Sequence, residues 1–220
     1  DPLWTYELSA CQVEDRTNPK LSEADIRREL ERNDNEGNFI ADKMGLNLVA
    51  MELAPANMPL TVYPDARYLA ITGNMPRERL SAACRVAGTH IHLGMGSMDE
   101  AIRAYNILVP HLPALCKLGD HSDGGRIRLY KEMAVNWEPI IYRNEKHFFE
   151  VAVEQGFADN PRNCYHLIRI SRHGTIELRM FGVTSSVDEI LSWVAFVRNI
   201  LKESPDLWGR DLPQAEEEKP

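Results

Sequence analysis

The segment Tyr165–Gly182 carries the charges that are best placed to do chemistry. Two apolar-rich stretches joined by a short turn predict a β-hairpin here. In its second strand Thr175, Glu177 and Arg179 share one face by period-two alternation, and the apolar residues between them share the other. The first strand and the turn add three basic side chains, Arg169, Arg172 and His173. This combination predicts the wall of an anion-handling site.

The arginines of this segment have two interpretations. Because a guanidinium group donates paired hydrogen bonds to phosphate and carboxylate, Arg169, Arg172 and Arg179 could clamp a phosphate or an acidic substrate. Alternatively, Glu177 forms a cross-strand salt bridge with one of them, which is worth less than about 1 kcal/mol if it is exposed. The residues alone leave both interpretations open.

A second candidate lies in the stretch GTHIHLG, which predicts a strand between glycines. His90 and His92 are two residues apart, so both side chains point to the same face, beside Gly94. This is a familiar spacing for metal ligands, although one imidazole could equally form a hydrogen bond within the sheet. The lack of cysteines nearby in the sequence argues against zinc.

Glu7 and Glu14 form a third candidate. They would share a face if the segment is helical and lie on opposite faces if it is one uninterrupted strand. Each alone is typical of a solvated surface acid. Together with Glu177 they supply three carboxylates for a hard cation such as Mg²⁺, which prefers oxygen ligands.

Arg126 follows the glycine-rich stretch GDHSDGG and is a weaker candidate for contact with a nucleotide or an acidic substrate. That stretch lacks the GK[ST] ending of a Walker loop, and no GxGxxG follows a predicted strand. No GxSxG is present either, so a nucleophile-elbow serine hydrolase is unsupported.

Helices and strands alternate along the chain and must position these side chains. Capping serines, glycine stops and apolar periodicity predict helices over 21–45, 77–86, 98–119 (interrupted by proline), 145–156 and 186–204. Strands are predicted over 46–55, which reads as buried, and at the histidine stretch and the hairpin. GDHSDGGRIRLY predicts a flexible loop that runs into a basic strand or turn.

These elements predict an α+β fold with a mostly antiparallel sheet, helices packed on one face and a concave ligand face opposite. Residues 1–211 are expected to form a single domain, followed by an acidic disordered tail over 212–220. Broad apolar helix faces leave room for a homo-oligomer.

Composition restricts the partners and the compartment. The 220 residues carry a net charge of −8, which argues against a nucleic-acid partner. No run of about eighteen apolar residues occurs, so we expect no membrane partner. The four cysteines are widely spaced without a CxxC pair, which favours the reducing cytoplasm.

Three blocks of the chain, in this order, resemble the glutamate–cysteine ligase type 2 family of carboxylate-amine ligases, in the glutamine synthetase-like superfamily. YELSACQVE resembles the family's acidic block, GTHIHLG its histidine block and RISRHGTIELRM its late hairpin. The likeness extends over roughly residues 6–201. It implies a catalytic domain like those of glutamine synthetase and the guanido kinases, and an enzyme that uses Mg²⁺ and ATP as co-substrate. The substrates would be a small amino acid or other carboxylate and an amine, joined through an acyl phosphate.

The resemblance also implies roles for individual residues. Glu7, Glu14, Glu177 and His90 would bind magnesium, with His92 beside them. Glu177 and Arg179 would be catalytic, with Arg179 meeting the transferred phosphate or the substrate carboxylate. The remaining nucleotide or substrate contacts would come from Arg169, Arg172, His173 and Arg126.

This sequence departs from the family pattern in two ways. It begins after the position of the family's first strand, which bears a Glu-x-Glu pair, and the region between the histidine block and the hairpin is shorter than usual. The chain is therefore interpreted as a fragment, a variant with rearranged metal binding or a non-catalytic, ligand-binding relative. A metal-dependent hydrolase that uses His90 and His92 with Glu177 is the alternative from a different enzyme class.

Overall fold

A computed structural model describes residues 4–20, 22–171 and 173–204. This part is mixed helix and strand with small antiparallel sheets, which is compatible with the predicted α+β class. The strands are β1 (Trp4–Tyr6), β2 (Val13–Asp15), β3 (Thr89–Leu93), β4 (Ile168–Ile170) and β5 (Ile176–Phe181). The α-helices are α1 (Glu23–Lys43), α2 (Ala66–Thr72), α3 (Arg77–Arg85), α4 (Met98–Leu108), α5 (Leu112–Leu118), α6 (Gly125–Met133), α7 (Glu145–Glu154) and α8 (Val187–Lys202). Arg172 and the predicted tail lie outside the described residues.

The predicted hairpin is confirmed, and its second strand is the centre of a three-stranded antiparallel sheet ordered β3-β5-β4. In this register Glu177 on β5 pairs with His92 on one side and with Arg169 on the other. A β-bulge interrupts the β3–β5 pairing between Thr89 and Ile91, at His90. Strands β1 and β2 pair separately as a second antiparallel hairpin.

The core lies against the apolar residues of the sheet. Ile176 and Leu178 are fully buried, and α4, α5 and α8 contribute to the same apolar cluster. From α8, Trp193 stacks on Phe181 of β5 with 5.0 Å between the ring centroids. Burial of each such large side chain stabilises the fold by roughly 1.5–3 kcal/mol, so the central strand is fixed firmly from this side.

The predicted helix boundaries are confirmed where local chemistry sets them. Ser22 and Ser186 cap α1 and α8 by accepting hydrogen bonds from the backbone N–H groups of the third residues that follow. The proline-interrupted helix is divided into α4 and α5 by a 3₁₀ turn at Val109–His111. Gly156, just beyond α7, has a φ of 73°, a left-handed conformation that favours glycine.

The buried strand predicted over 46–55 is wrong. Val49 is 68% exposed, and Leu53 forms an isolated bridge to Val86 while the rest of the segment is irregular. A run of apolar residues indicates that burial is favourable, but it does not supply the neighbouring strand on which a β conformation depends.

The basic strand or turn predicted after GDHSDGG is also wrong, because the chain forms helix α6 there. Asp120 accepts hydrogen bonds from the backbone N–H groups of Ser122 and Gly124, and Gly124 turns the chain with a φ of 72°. These contacts order the loop and start the helix. Helix α6 consequently presents Arg126 and Tyr130 to the sheet.

No helix in the described ranges has the length and apolar character to cross a membrane.

Candidate functional site

Glu177 is the hub of the polar cluster on the central strand. Its residue is 2% exposed, and both of its carboxylate oxygens meet arginines. Arg169 donates from Nε to Oε2 over 2.8 Å and from Nη2 to Oε1 over 3.0 Å, which is the bidentate arrangement. Arg179 donates from Nη1 to Oε1 over 2.5 Å. The cross-strand salt bridge that the sequence left open is therefore present between Glu177 and Arg169, and it is buried. Arg179, on the same strand as Glu177, adds a second ion pair.

The arginines set the charge of this carboxylate. Burial alone would raise the pKa of Glu177, but the guanidinium groups of Arg179 and Arg169 outweigh it and hold that pKa at about 2. Glu177 is therefore ionised at neutral pH, and the two arginines are oriented by it. One carboxylate with two guanidiniums leaves the cluster with net positive charge, which suits an anionic ligand.

Tyr130 of α6 forms a hydrogen bond with Arg179 and so positions its guanidinium group. Its hydroxyl accepts a hydrogen bond from Arg179 Nε over 3.1 Å and donates one to the backbone oxygen of Tyr165 over 2.8 Å. Sequence reasoning missed this residue because the segment was interpreted as strand or turn. As a helix, it places Tyr130 four residues after Arg126, so that both side chains reach the sheet.

Arg126 forms hydrogen bonds within the protein, and the nucleotide or substrate contact expected for it stays a prediction. It is 2% exposed, and its guanidinium donates to the backbone oxygens of Ala87, Met180 and Arg179. These bonds join the chain entering β3 to the end of β5. Arg126 therefore positions the strands that carry His90 and Arg179.

His90 and His92 lie on the same side of the sheet as Glu177, as the sequence predicts. His90 Nδ1 is 3.5 Å from Glu177 Oε1, and His92 Nε2 is 4.0 Å from Oε2. The His90 side chain is still 34% exposed, yet enough protein surrounds it that burial and the Arg179 charge keep its pKa well below the usual value. Burial also lowers the pKa of His92. Both rings are therefore neutral near pH 7, which is the form that binds metal or accepts a proton.

The turn of the hairpin adds hydroxyl groups. His92 Nδ1 lies 3.0 Å from Thr175 Oγ1, which lies 2.8 Å from Ser171 Oγ. His173 is exposed on this turn and donates its backbone N–H to Ser171 Oγ. His92 therefore lies against the hairpin turn, and His173 lies at the exposed edge of that turn.

Glu7 and Glu14 meet on the second hairpin. A turn separates them, so neither the helix nor the uninterrupted strand considered from sequence is correct: Glu7 follows β1, and Glu14 lies on β2 opposite Thr5. Their carboxyl groups are close enough to share a hydrogen bond. This bond, with partial burial, raises the pKa of Glu14 to about 8, and the charge of Glu177 contributes. Although the Glu14 residue is exposed overall, its carboxyl group holds a proton at neutral pH.

Aromatic residues surround this acidic pair. The rings of Tyr6 and Tyr63 stack with 4.0 Å between their centroids, and Tyr68 meets Tyr6 edge-on at 6.1 Å. Burial and the negative charges of Glu7 and Glu14 raise the pKa of Tyr68 to about 12. No periodic pattern indicates this aromatic cluster, because its members come from β1, a loop and α2.

Across 4–20, 22–171 and 173–204, no three His, Cys, Asp or Glu side chains are arranged as a set that could hold a metal ion. Both carboxylate oxygens of Glu177 accept hydrogen bonds from arginines, and Glu14 beside Glu7 retains a proton at neutral pH. The donor chemistry of the acidic pair nevertheless fits a hard cation. Two crowded carboxyl groups that retain a proton at pH 7 are a site where a cation would relieve repulsion.

Comparison with known proteins agrees with the resemblance noted from the sequence. A family model described as glutamate-cysteine ligase family 2 (GCS2) matches residues 4–120, more than half of the chain. A protein of Frankia alni named "Putative glutamate--cysteine ligase 2-2" is 26% identical over 227 residues, covering 94% of this chain and 57% of the relative. A protein of the same name from Mycobacterium sp. (strain KMS) is 28% identical over 210 residues, covering 87% and 56%. The chain thus spans little more than half the length of these curated relatives.

Proposed function

Because the chain belongs to glutamate-cysteine ligase family 2, we propose that it is an ATP- and Mg²⁺-dependent carboxylate-amine ligase. The observation that carries this proposal is the buried Glu177 with Arg169 and Arg179, on the sheet face that also bears two neutral histidines. Such a cluster combines positive charge for phosphate with groups that accept protons. The substrates would be a small amino acid or other carboxylate and an amine.

The reaction explains why no nucleophile motif is needed. A carboxylate is a poor electrophile, so phosphoryl transfer from ATP converts it into an acyl phosphate, which the amine then attacks. The guanidinium groups of Arg179 and Arg169 would stabilise charge as the phosphoryl group moves. The neutral imidazole of His92 would accept the proton that the attacking amine loses. His173 remains a proposed contact from the hairpin turn, and Arg172, which lies outside the described residues, remains a proposed contact from the sequence.

Glu7 and Glu14 are the residues that would hold Mg²⁺, with His90 as a further ligand from the sheet. Bound Mg²⁺ would neutralise the negative charge of the phosphate oxygens. Glu177 would join this set after an arginine transfers its hydrogen bonds from the carboxylate to a substrate phosphate, because both of its oxygens are engaged in the free protein.

The three-stranded sheet would belong to a mostly antiparallel, curved sheet with a concave ligand face, as in glutamine synthetase-like catalytic domains. Support comes from the division of its sides, with apolar residues packed on helices and Glu177 among charged groups opposite. Residues 1–211 would form one such domain. The cysteines of the described part are free, which supports a reducing, cytoplasmic setting.

Trapping of the acyl phosphate tests the function directly. The protein is incubated with ATP, Mg²⁺, L-glutamate and hydroxylamine, and the hydroxamate and released phosphate are quantified; L-cysteine then replaces hydroxylamine. We expect product to require all components. Arg179→Lys retains the charge but loses the paired geometry, so the rate should fall about a hundredfold.

Arg103→Lys is the matched control, since Arg103 is an exposed arginine on α4, away from the sheet cluster. It should leave the rate unchanged. Product formation without ATP, or full activity of Arg179→Lys, would overturn the proposal. Hydrolytic activity restored by zinc in place of magnesium would instead favour the metal-dependent hydrolase.

A ligand-binding relative without turnover is the second candidate. It is favoured by the lack of an assembled metal set within the described ranges. Saturable binding of ATP, with neither hydroxamate nor phosphate formed under the conditions above, would support this candidate over the ligase.

A further inference from the structure

A cavity of about 430 Å³ lies between α3, α6 and the loop over 55–60, apart from the sheet cluster. Ligand pockets in proteins typically enclose about 300–1,000 Å³, so its size suits a small metabolite. Arg77, Ser81 and Arg85 line it from successive turns of α3, because residues four apart share a helix face.

Charges of both signs line this cavity without neutralising one another. Glu78 and Glu132 accompany the two arginines, yet none of these four residues forms an ion pair with any part of the chain that the structure describes. Arg85 is half-buried and donates Nε to the backbone oxygen of Ala54 over 2.9 Å, which directs its side chain without using the terminal amino groups.

The remaining wall is apolar, with Met58, Leu60 and Leu129 among its members. Positive, negative and apolar groups in one cavity match a ligand that carries all three features. We propose that this cavity binds a zwitterionic α-amino acid with a short unbranched apolar side chain. Its carboxylate would meet Arg85 and Ser81, its ammonium group Glu132 and its side chain the apolar wall.

The proposed site is separate from the candidate catalytic residues but shares a helix with them. Leu129 and Glu132 of α6 line the cavity, whereas Tyr130 between them points to the sheet and holds Arg179. The inference concerns binding and does not depend on ligase activity, so the two proposals can fail independently.

The test compares three probes of similar length, L-norleucine, hexanoate and hexylamine, each titrated into the isotopically labelled full chain and followed by NMR chemical shifts. L-Norleucine has both charges and the tail, whereas each other probe lacks one charge. We expect saturable shifts at residues of the cavity and an affinity for L-norleucine at least about tenfold higher than for either analogue, since each charge-assisted contact is worth about that factor.

Two variants and one control locate the binding. Arg85→Gln and Glu132→Gln should each weaken L-norleucine binding about tenfold, whereas Arg103→Gln, an exposed arginine outside the cavity, should not change it. Glu132 is exposed, so Glu132→Gln decides the question if Arg85→Gln fails to fold. Equal binding of hexanoate or hexylamine, shifts outside the cavity alone, or unaltered binding by Glu132→Gln would each overturn the proposal.

Discussion

The two hairpins of this protein carry the same residue type in opposite states. On the β4–β5 hairpin, Glu177 lies between two arginines and has a pKa of about 2. On the β1–β2 hairpin, the hydrogen bond with Glu7 and partial burial raise the pKa of Glu14 to about 8. The residue type alone therefore does not determine the charge of a glutamate on a strand, because its neighbours decide whether it is ionised or protonated at neutral pH.

This contrast predicts different roles for the two hairpins. On the Glu177 hairpin, two arginines already hold the carboxylate, and Tyr130 supports one of them. On the Glu14 hairpin, a retained proton and not a basic side chain offsets the repulsion between the two carboxyl groups. The first hairpin should therefore govern stability, and the second should respond to cations and pH.

Glu177→Gln should have the largest effect on stability. It leaves two mostly buried guanidinium groups without their carboxylate, and the free energy of unfolding should fall by about 3 kcal/mol. Urea denaturation at pH 7 measures the change. Glu14→Gln on the other hairpin is the matched control and should change stability by less than about 1 kcal/mol; equal effects at the two positions would remove the contrast.

Loss of a tyrosine hydroxyl should likewise destabilise the protein more at the β4–β5 hairpin than at the β1–β2 hairpin. Tyr130→Phe leaves Arg179 Nε and the Tyr165 carbonyl without their partner, which should cost about 1.5 kcal/mol of unfolding free energy. Tyr6→Phe also removes a hydrogen-bonded hydroxyl, which donates to Asp65 over 2.9 Å, but at an exposed position. Thermal denaturation should show a clear shift for Tyr130→Phe and a small one for Tyr6→Phe. The reverse order would contradict the supporting role of α6.

Mg²⁺ binding should depend on pH through the acidic pair. Because a proton must leave Glu14 before a cation binds, affinity should rise about tenfold per pH unit below pH 8 and level off above it. Calorimetry in buffers of different ionisation enthalpy measures both the affinity and the proton released. Glu14→Gln should abolish the proton release, whereas a pH-independent affinity in the unsubstituted protein would show that the cation binds elsewhere.

The hairpins should also contribute oppositely to the pH dependence of stability. The pKa of Glu14 is raised in the folded state, so its contribution is complete below the unfolded value of 4.5 and is lost as pH rises through about 8. The exposed position limits this effect to less than about 1 kcal/mol. The pKa of Glu177 is lowered, so its contribution is present above 4.5 and is lost as pH falls through about 2.

Unfolding free energies of the unsubstituted protein and Glu14→Gln, measured from pH 5 to pH 9, isolate the smaller effect. The free energy of unfolding of the unsubstituted protein minus that of Glu14→Gln should decline with rising pH. A difference that grows with pH would mean that Glu14 is ionised and paired with a positive group.

Several features of the site follow from local patterns. Alternation in the hairpin places Glu177 and Arg179 on one face, and the His-x-His spacing places both imidazoles together. Ser22 and Ser186 start their helices through their own hydroxyls. These predictions hold because they depend on neighbours within a few residues.

Contacts between residues that are distant in the chain could not be predicted from local patterns, and the strand predicted over 46–55 is wrong for this reason. The apolar run over 46–55 has no strand beside most of its length within the described residues, so it lies exposed, as Val49 illustrates. The sequence could not indicate that the guanidinium of Arg126 donates hydrogen bonds to backbone oxygens of β5 and of the chain before β3, because these partners are distant in the chain.

The sequence by itself determined the family, the residue types of the candidate site and the strand faces on which several of them lie. Tertiary structure decided what each charged group meets: Arg169 and Arg179 at Glu177, Glu7 at Glu14, and Tyr130 beneath Arg179. The physical reason is that a pKa and a hydrogen bond depend on separations of a few ångströms, and folding sets those separations between residues far apart in the chain.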